Sequence, residues 1–285
     1  MYKEVGISSN NVPITLSIWY TERSCPTIVF LPGTMSHPLM YENFLCGLSE
    51  RGFNIIGVHY LSHGKSPKIK KNYIMEDMLH NVYDATTYGI ENFGENIAVM
   101  GSSQGGILAA MAAGRDTRLK SVFPHNIMLT TLKETMSLTK YPAWSHRFMG
   151  LIQWGFRVGG KLLPNYKVPG DAYLDYDRVF YSEQAKQDCL NDPMLLPYYP
   201  LRFVGSLFNA DLSCLENGAI QCPVILITAK GDPLFSFDYT NKVFDLIHVP
   251  QKELLALELN RHMIFNEDTD TTINALEPTL HKYLG

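Results

Sequence analysis

The stretch Val99-Met100-Gly101-Ser102-Ser103-Gln104-Gly105-Gly106 places G-x-S-x-G between a short apolar run and a segment of small residues. Asn96 to Met100 is apolar and β-branched enough to be a buried strand. The run from Gly105 to Ala113 reads as a tightly packed helix. A strand that turns straight into a helix strains its corner residue, and flanking glycines let the two backbones approach where a Cβ would collide. Ser103 occupies that corner and its hydroxyl is held clear of the sheet. Ser102, the rival hydroxyl, falls off the apex.

Outward from this corner, strand and helix patterns alternate. Thr27 to Leu31 and Asn54 to Val58 are continuous apolar runs, as expected of strands buried on both faces, and Ser121 to Phe123 is a shorter one. Helical spacing appears over Tyr41 to Gly52, Tyr73 to Phe93 and from Gly105 to Leu119. Residues 2 to 20 read as an edge hairpin with a turn at Ser8-Ser9-Asn10-Asn11. The alternation predicts an α/β fold with a mostly parallel, doubly wound sheet.

At about Asn126 the rhythm breaks. Between Ile127 and Asn217 the sequence has helical patterns and no apolar strand run: one through Trp144, Phe148, Leu151, Ile152 and Gly155, one over Asp177 to Leu190, and one over Leu201 to Leu212. This predicts a helical cap at 127–217, inserted between a first core part at 1–126 and a second at 218–285. The sheet pattern resumes at Pro223 to Thr228, followed by a helix over Asp238 to Ile247, a last strand over Leu254 to Leu259, and a helix from about Thr269 to Leu284.

Composition narrows the function. The 285 residues are 46% hydrophobic and 18% charged, with net charge −4, enough for a sizeable core. The basic run from Lys65 to Lys71 reads as a solvated loop and gives no support for nucleic-acid binding. No apolar window suggests a membrane span, and the N-terminus lacks a signal-peptide core, so a cytoplasmic location is expected. Five scattered cysteines without C-x-x-C suggest neither disulfides nor zinc. His59 and His63 have metal-ligand spacing, but no third ligand lies near them in sequence.

In open α/β sheets ligands bind at the carboxyl ends of the strands. Gly33-Thr34, Ser103, Gly231-Asp232 and His262 all fall at such ends. A serine hydroxyl needs a base to take its proton, and an imidazole needs a carboxylate to set its tautomer. Ser103, Asp232 and His262 therefore form a candidate nucleophile, acid and base. His281 lies inside the terminal helix and His248 ends one, which leaves His262. Attack on a carbonyl creates an oxyanion, for which two backbone N–H groups are needed. Gln104 is the candidate for one, and Thr34, with Met35 as the alternative, for the other.

These residues resemble the α/β-hydrolase superfamily, and within it the monoacylglycerol lipase and lysophospholipase-like esterases. The similarity runs through Leu31-Pro32-Gly33-Thr34 with His37, His63-Gly64-Lys65-Ser66, Gly101-Ser102-Ser103-Gln104-Gly105-Gly106, Asp192-Pro193-Met194, Gly231-Asp232 and Arg261-His262. It implies Ser103, Asp232 and His262 as triad and Thr34 with Gln104 as oxyanion hole. Pro32 and His59-Tyr60 depart from the family's usual histidine and aspartate. The expected activity is hydrolysis of a small-molecule carboxylic ester without a cofactor, with thioesterase, lactonase and acyltransferase chemistry open to the same triad. A non-catalytic binding protein is the rival of a different class, and a homodimer is left open. Trp144, Phe148, Trp154 and Phe156 are expected to favour an apolar acyl or aromatic group.

Overall fold

The computed structural model describes residues 1–68 and 72–285, so the last part of the Lys65–Lys71 run lies outside the described residues. An eight-stranded sheet runs through the chain. Its strands are β1 (Tyr2–Ser9), β2 (Val12–Trp19), β3 (Thr27–Leu31), β4 (Asn54–His59), β5 (Ile97–Ser102), β6 (Ser121–His125), β9 (Val224–Ala229) and β10 (Lys252–Leu257). The spatial order is β1-β2-β4-β3-β5-β6-β9-β10. From β4 to β10 all neighbours are parallel, whereas β1 and β2 add on antiparallel. The predicted edge hairpin is thus the antiparallel edge of the sheet itself, joined to it through β2 and β4. Its turn residues Asn10 and Asn11 have φ of 46° and 62°, a conformation asparagine tolerates better than most residues.

The central strands β3 to β6 and β9 are buried along their whole length, as their unbroken apolar runs require. Side chains alternate between the two faces. The Thr27 side chain meets the Gly89 position on helix α2 (Met75–Phe93), given α1 at Glu42–Glu50. Phe30, an odd number of residues further on, packs instead on Phe44 of α1 and on Phe265. Helices therefore cover both faces, and α10 (Thr269–Leu284) lies beside α1.

Helix α3 (Gln104–Ala113) starts directly after β5 and is buried along its whole length. A Cβ at Gly105 would overlap the Leu31 carbonyl, and one at Gly106 the carbonyls of His125 and Asn126. These two glycines let α3 descend between β3 and β6. The helix stops at Ala113 rather than Leu119. Asp116 accepts the Arg118 N–H at 3.1 Å and pairs with its guanidinium at 2.6 Å, stabilising a turn instead of another helical turn.

Between β6 and β9 stand α4 (Met149–Leu162), α5 (Tyr176–Val179), α6 (Glu183–Leu190) and α7 (Leu201–Leu207). The helix expected over Asp177–Leu190 is two pieces, each with its own cap: Asp175 accepts from Asp177 N and Ser182 from Ala185 N. The expected Leu201–Leu212 helix ends at Leu207. Two short strands absent from the sequence reading, β7 (Lys167–Val168) and β8 (Tyr199–Pro200), pair antiparallel; two residues are too few to show a period. After β9 come α8 (Phe237–Leu246), β10 two residues earlier than expected, and α9 (Ile264–Glu267).

Candidate active site

Parallel register puts the strand ends in one row: Leu31 pairs with Gly101, Ser102 with His125, and His125 with Ile227. The residues that follow these ends carry the backbone strain. Among the described residues outside the hairpin turn, the non-glycine residues with positive φ are Met35 (61°), Ser62 (62°), Ser103 (52°) and Asn126 (62°). They follow β3, β4, β5 and β6 respectively. Each costs on the order of 1–3 kcal/mol unless its surroundings hold it, and such residues concentrate at functional sites.

Ser103, with ψ of −111°, is held from both sides. Its N–H donates to His125 O at 2.9 Å, and its carbonyl accepts from Gly106 N at 2.8 Å. Ser103 lines two adjoining cavities that also share Thr34, Leu174 and Leu234. His262 lines the first cavity and Gln104 the second.

Asp232 and His262, distant in sequence, are in contact: His262 Nδ1 donates to Asp232 Oδ2 at 2.9 Å, which leaves Nε2 as the basic nitrogen. Both are buried. The other carboxylate oxygen, Oδ1, accepts from Leu234 N at 2.8 Å and Phe235 N at 2.9 Å. Burial alone would raise the Asp232 pKa, but the adjacent His262 and these backbone donors outweigh it, and the net shift is downward. Phe235 stacks on the His262 ring, centroids 5.5 Å apart and planes 9° apart.

Asn126 is a site residue the sequence reading missed. Its Nδ2 donates to Asp232 Oδ2 at 2.9 Å and to His125 Nε2 at 3.1 Å, while its Oδ1 accepts from Thr228 Oγ1 at 3.1 Å. The sequence-level signal was its place directly after a predicted strand, since asparagine tolerates the left-handed conformation such an end can need. His125, Asp232 and His262 bring potential metal-ligating atoms within 4.8 Å of one another, but hydrogen bonds among these residues and Asn126 engage the set. His59 and His63 hold no metal geometry either. His59 binds Lys65 N and Ser17 Oγ, and His63 binds Leu61 O and Tyr199 Oη.

In the loop after β3, Gly33 N donates to Tyr41 Oη at 3.2 Å, Met35 N to Tyr199 Oη at 2.7 Å, and Ser36 N to Gly33 O at 3.3 Å. The Thr34 N–H has no partner among the described residues.

Trp144, Phe148 and Trp154, expected near the substrate, instead face solvent with exposures of 67%, 41% and 57%. Phe156 stacks on Phe208 at 4.9 Å. The helix expected through Trp144 starts only at Met149, and Trp144 and Phe148 lie in a 3-10 segment before it, Ala143–Phe148. Helix α4 packs on α7, where a Cβ at Gly205 would meet the Phe156 carbonyl, so the side of α4 that carries Trp154 turns outward. The cavities are walled from this segment by Tyr173, Leu174, Tyr176, Phe180 and Phe208.

Burial holds three histidines neutral: His59 and His125 are pushed down to about 3 and His63 to about 4, chiefly by desolvation. The unfolded chain, with histidines near 6.5, takes up protons that the folded one refuses. Stability is therefore full above about pH 6.5 and falls as the pH drops toward these lowered values. At pH 5 each histidine costs about 2 kcal/mol. Urea unfolding at pH 7 and pH 5 is expected to show a lower midpoint at pH 5; an unchanged midpoint would contradict neutral burial.

Residues 22–269 match the family described as Serine aminopeptidase, S33. No curated protein matches the chain. Among solved structures, a monoacylglycerol lipase from Paleococcus ferrophilus superposes with TM-score 0.77 at 19% identity, over 95% of this chain and 99% of that one. A soluble variant of monoglyceride lipase from Saccharomyces cerevisiae, in complex with a substrate analogue, gives 0.76 at 16%, over 99% and 95%. A thermostable carboxyl esterase from Bacillus coagulans, in complex with glycerol, gives 0.74 at 14%, over 100% and 99%. These likenesses agree with the α/β-hydrolase fold. No helix among the described residues is long and apolar enough to cross a membrane.

Proposed function

Because the chain belongs to the Serine aminopeptidase, S33 family, we propose that it is a serine hydrolase of carboxylic esters with an apolar acyl or aromatic group. Ser103 attacks the carbonyl, His262 takes the serine proton and returns it to the leaving alcohol, and Asp232 orients His262. The acyl-enzyme is then released by water activated in the same way. Thr34 and Gln104 supply the backbone donors for the oxyanion. Met35 is the weaker candidate because its N–H is already donated to Tyr199. Residues 127–217 act as the cap, and the chemistry calls for no cofactor.

The observation that carries this reading is the buried Asp232–His262 pair beside a strained Ser103 on the wall of a mainly apolar cavity. An aminopeptidase would bury a protonated α-amino group, which needs a counter-charge. The residues that line the two cavities include no carboxylate. A panel of p-nitrophenyl esters of increasing acyl length, beside a thioester, a lactone and an aminoacyl p-nitroanilide, is expected to show fastest turnover on esters. Chain-length preference should be shallow, since a hydrophobic pocket separates homologues by only about 1–3 kcal/mol per methylene. Faster turnover of the thioester, lactone or anilide would replace the ester assignment, and failure of a fluorophosphonate to label the native protein would leave a binding protein.

A further inference from the structure

Thr34 lies between two peptide planes that are anchored in different parts of the molecule. The plane carrying its N–H also carries the Gly33 carbonyl, which accepts from Ser36 N at 3.3 Å and Ser36 Oγ at 2.9 Å. The next plane carries the Met35 N–H, and it is anchored from the segment between β6 and β9: Tyr199 Oη accepts that N–H at 2.7 Å. The Met35 carbonyl, in turn, accepts from Leu196 N at 3.0 Å. A third contact, His37 Nε2 with Asp192 Oδ2 at 2.9 Å, holds the far end of the same loop. Residues 192–199 thus grip the loop on both sides of Met35, whose φ of 61° is one that a methionine does not hold unaided.

The hydroxyl that makes this contact is itself oriented. His63 donates its Nδ1 proton to Leu61 O at 2.9 Å, which makes its Nε2 the acceptor for the Tyr199 proton at 3.3 Å. With its proton directed at His63, the Tyr199 oxygen presents a lone pair to Met35 N–H. Tyr199 and His63 are fully buried, so water has no ready access to replace either partner.

We propose that Tyr199 is a positioning residue for the oxyanion loop: through Met35 it sets the direction of the Thr34 N–H, and His63 sets Tyr199. The inference rests on the ester-hydrolase reading above. It makes the competence of the oxyanion site depend on the docking of residues 192–199, not on the core sheet alone.

The test uses the full chain with Tyr199→Phe, which keeps the ring packing on Phe203 and removes only the hydroxyl. Turnover of p-nitrophenyl butyrate is expected to fall about 10- to 100-fold, a fraction of what losing a whole oxyanion donor costs. Affinity for an alkylboronic acid, whose tetrahedral serine adduct places an oxygen in the oxyanion site, should fall by the same factor. KM and the affinity of a non-reacting ether analogue should change by less than about twofold, because ground-state binding does not use the donor. His63→Leu should reproduce the Tyr199→Phe pattern, and His63→Gln, whose amide oxygen can accept the phenol proton, should stay nearer the native rate. The His63 pair carries the test if Tyr199→Phe does not fold. Native kcat in Tyr199→Phe, or a loss of kcat with boronate affinity unchanged, overturns the proposal. Absence of turnover and boronate binding in the native chain would instead overturn the ester-hydrolase reading on which it rests.

Discussion

Replacing Ser103 by alanine is expected to lower ester turnover by about a million-fold, with KM little changed and fluorophosphonate labelling abolished. The size of the effect follows from what the residue contributes. Without Oγ no acyl-enzyme forms, and the histidine, carboxylate and oxyanion donors act on a substrate that only water can attack. Residual catalysis then comes from binding and oxyanion stabilisation, which work without the nucleophile. The substitution should leave the fold intact, because the strained backbone is held by Ser103 N–H to His125 O and by Gly106 N to Ser103 O, neither of which uses the side chain. Steady-state kinetics with circular dichroism checks this. Turnover within a hundredfold of native would remove Ser103 from the role, and Ser102 would be tested next.

Asp232→Asn is expected to cost on the order of ten-thousand-fold in kcat. The surroundings of the carboxylate explain why so small a change has so large an effect. Oδ1 accepts two backbone N–H groups, from Leu234 and Phe235, and an asparagine would keep its carbonyl oxygen there. Its amide nitrogen must then take the place of Oδ2, which faces His262 Nδ1 and Asn126 Nδ2. A donor facing a donor forces His262 into the tautomer protonated at Nε2, and that nitrogen can no longer accept the serine proton. Asn126 loses one of its acceptors as well, keeping His125 Nε2, so part of the cost should appear in stability. Measured kcat and urea midpoint together separate the two effects. A loss below about tenfold would show that Asp232 does not set the tautomer.

Much of the fold was legible because it rests on local patterns that repeat. Unbroken apolar runs such as Thr27–Leu31 mark strands covered on both faces, and the glycines around Ser103 mark where a helix must approach strands closely. The candidate site was legible for the same reason: in a parallel sheet the residues after successive strands come to one edge, so Ser103, Asp232 and His262 could be grouped from their places in the chain. What failed was the segment between β6 and β9. Trp144, Phe148, Leu151, Ile152 and Gly155 fit one helical period, yet α4 begins only at Met149 and Trp144 and Phe148 lie in a separate 3-10 segment, Ala143–Phe148; nor does a period say which side of a helix faces a cavity. For Trp154 that side was decided by Gly205 on α7, which admits the backbone around Phe156 and turns the other face of α4 to solvent.

By itself, then, the sequence determined the sheet and its mostly parallel character, and it singled out Ser103, Asp232 and His262 as candidates, because hydrophobic periodicity and turn signals at strand ends are written within a few residues of each other. Only the tertiary structure decided what surrounds them. Asn126 reaches across to Asp232, Tyr199 reaches Met35 from 164 positions away, and His63 orients Tyr199 from another loop. Hydrogen bonds between residues so far apart leave no periodic trace, since each depends on where two independently folded segments meet.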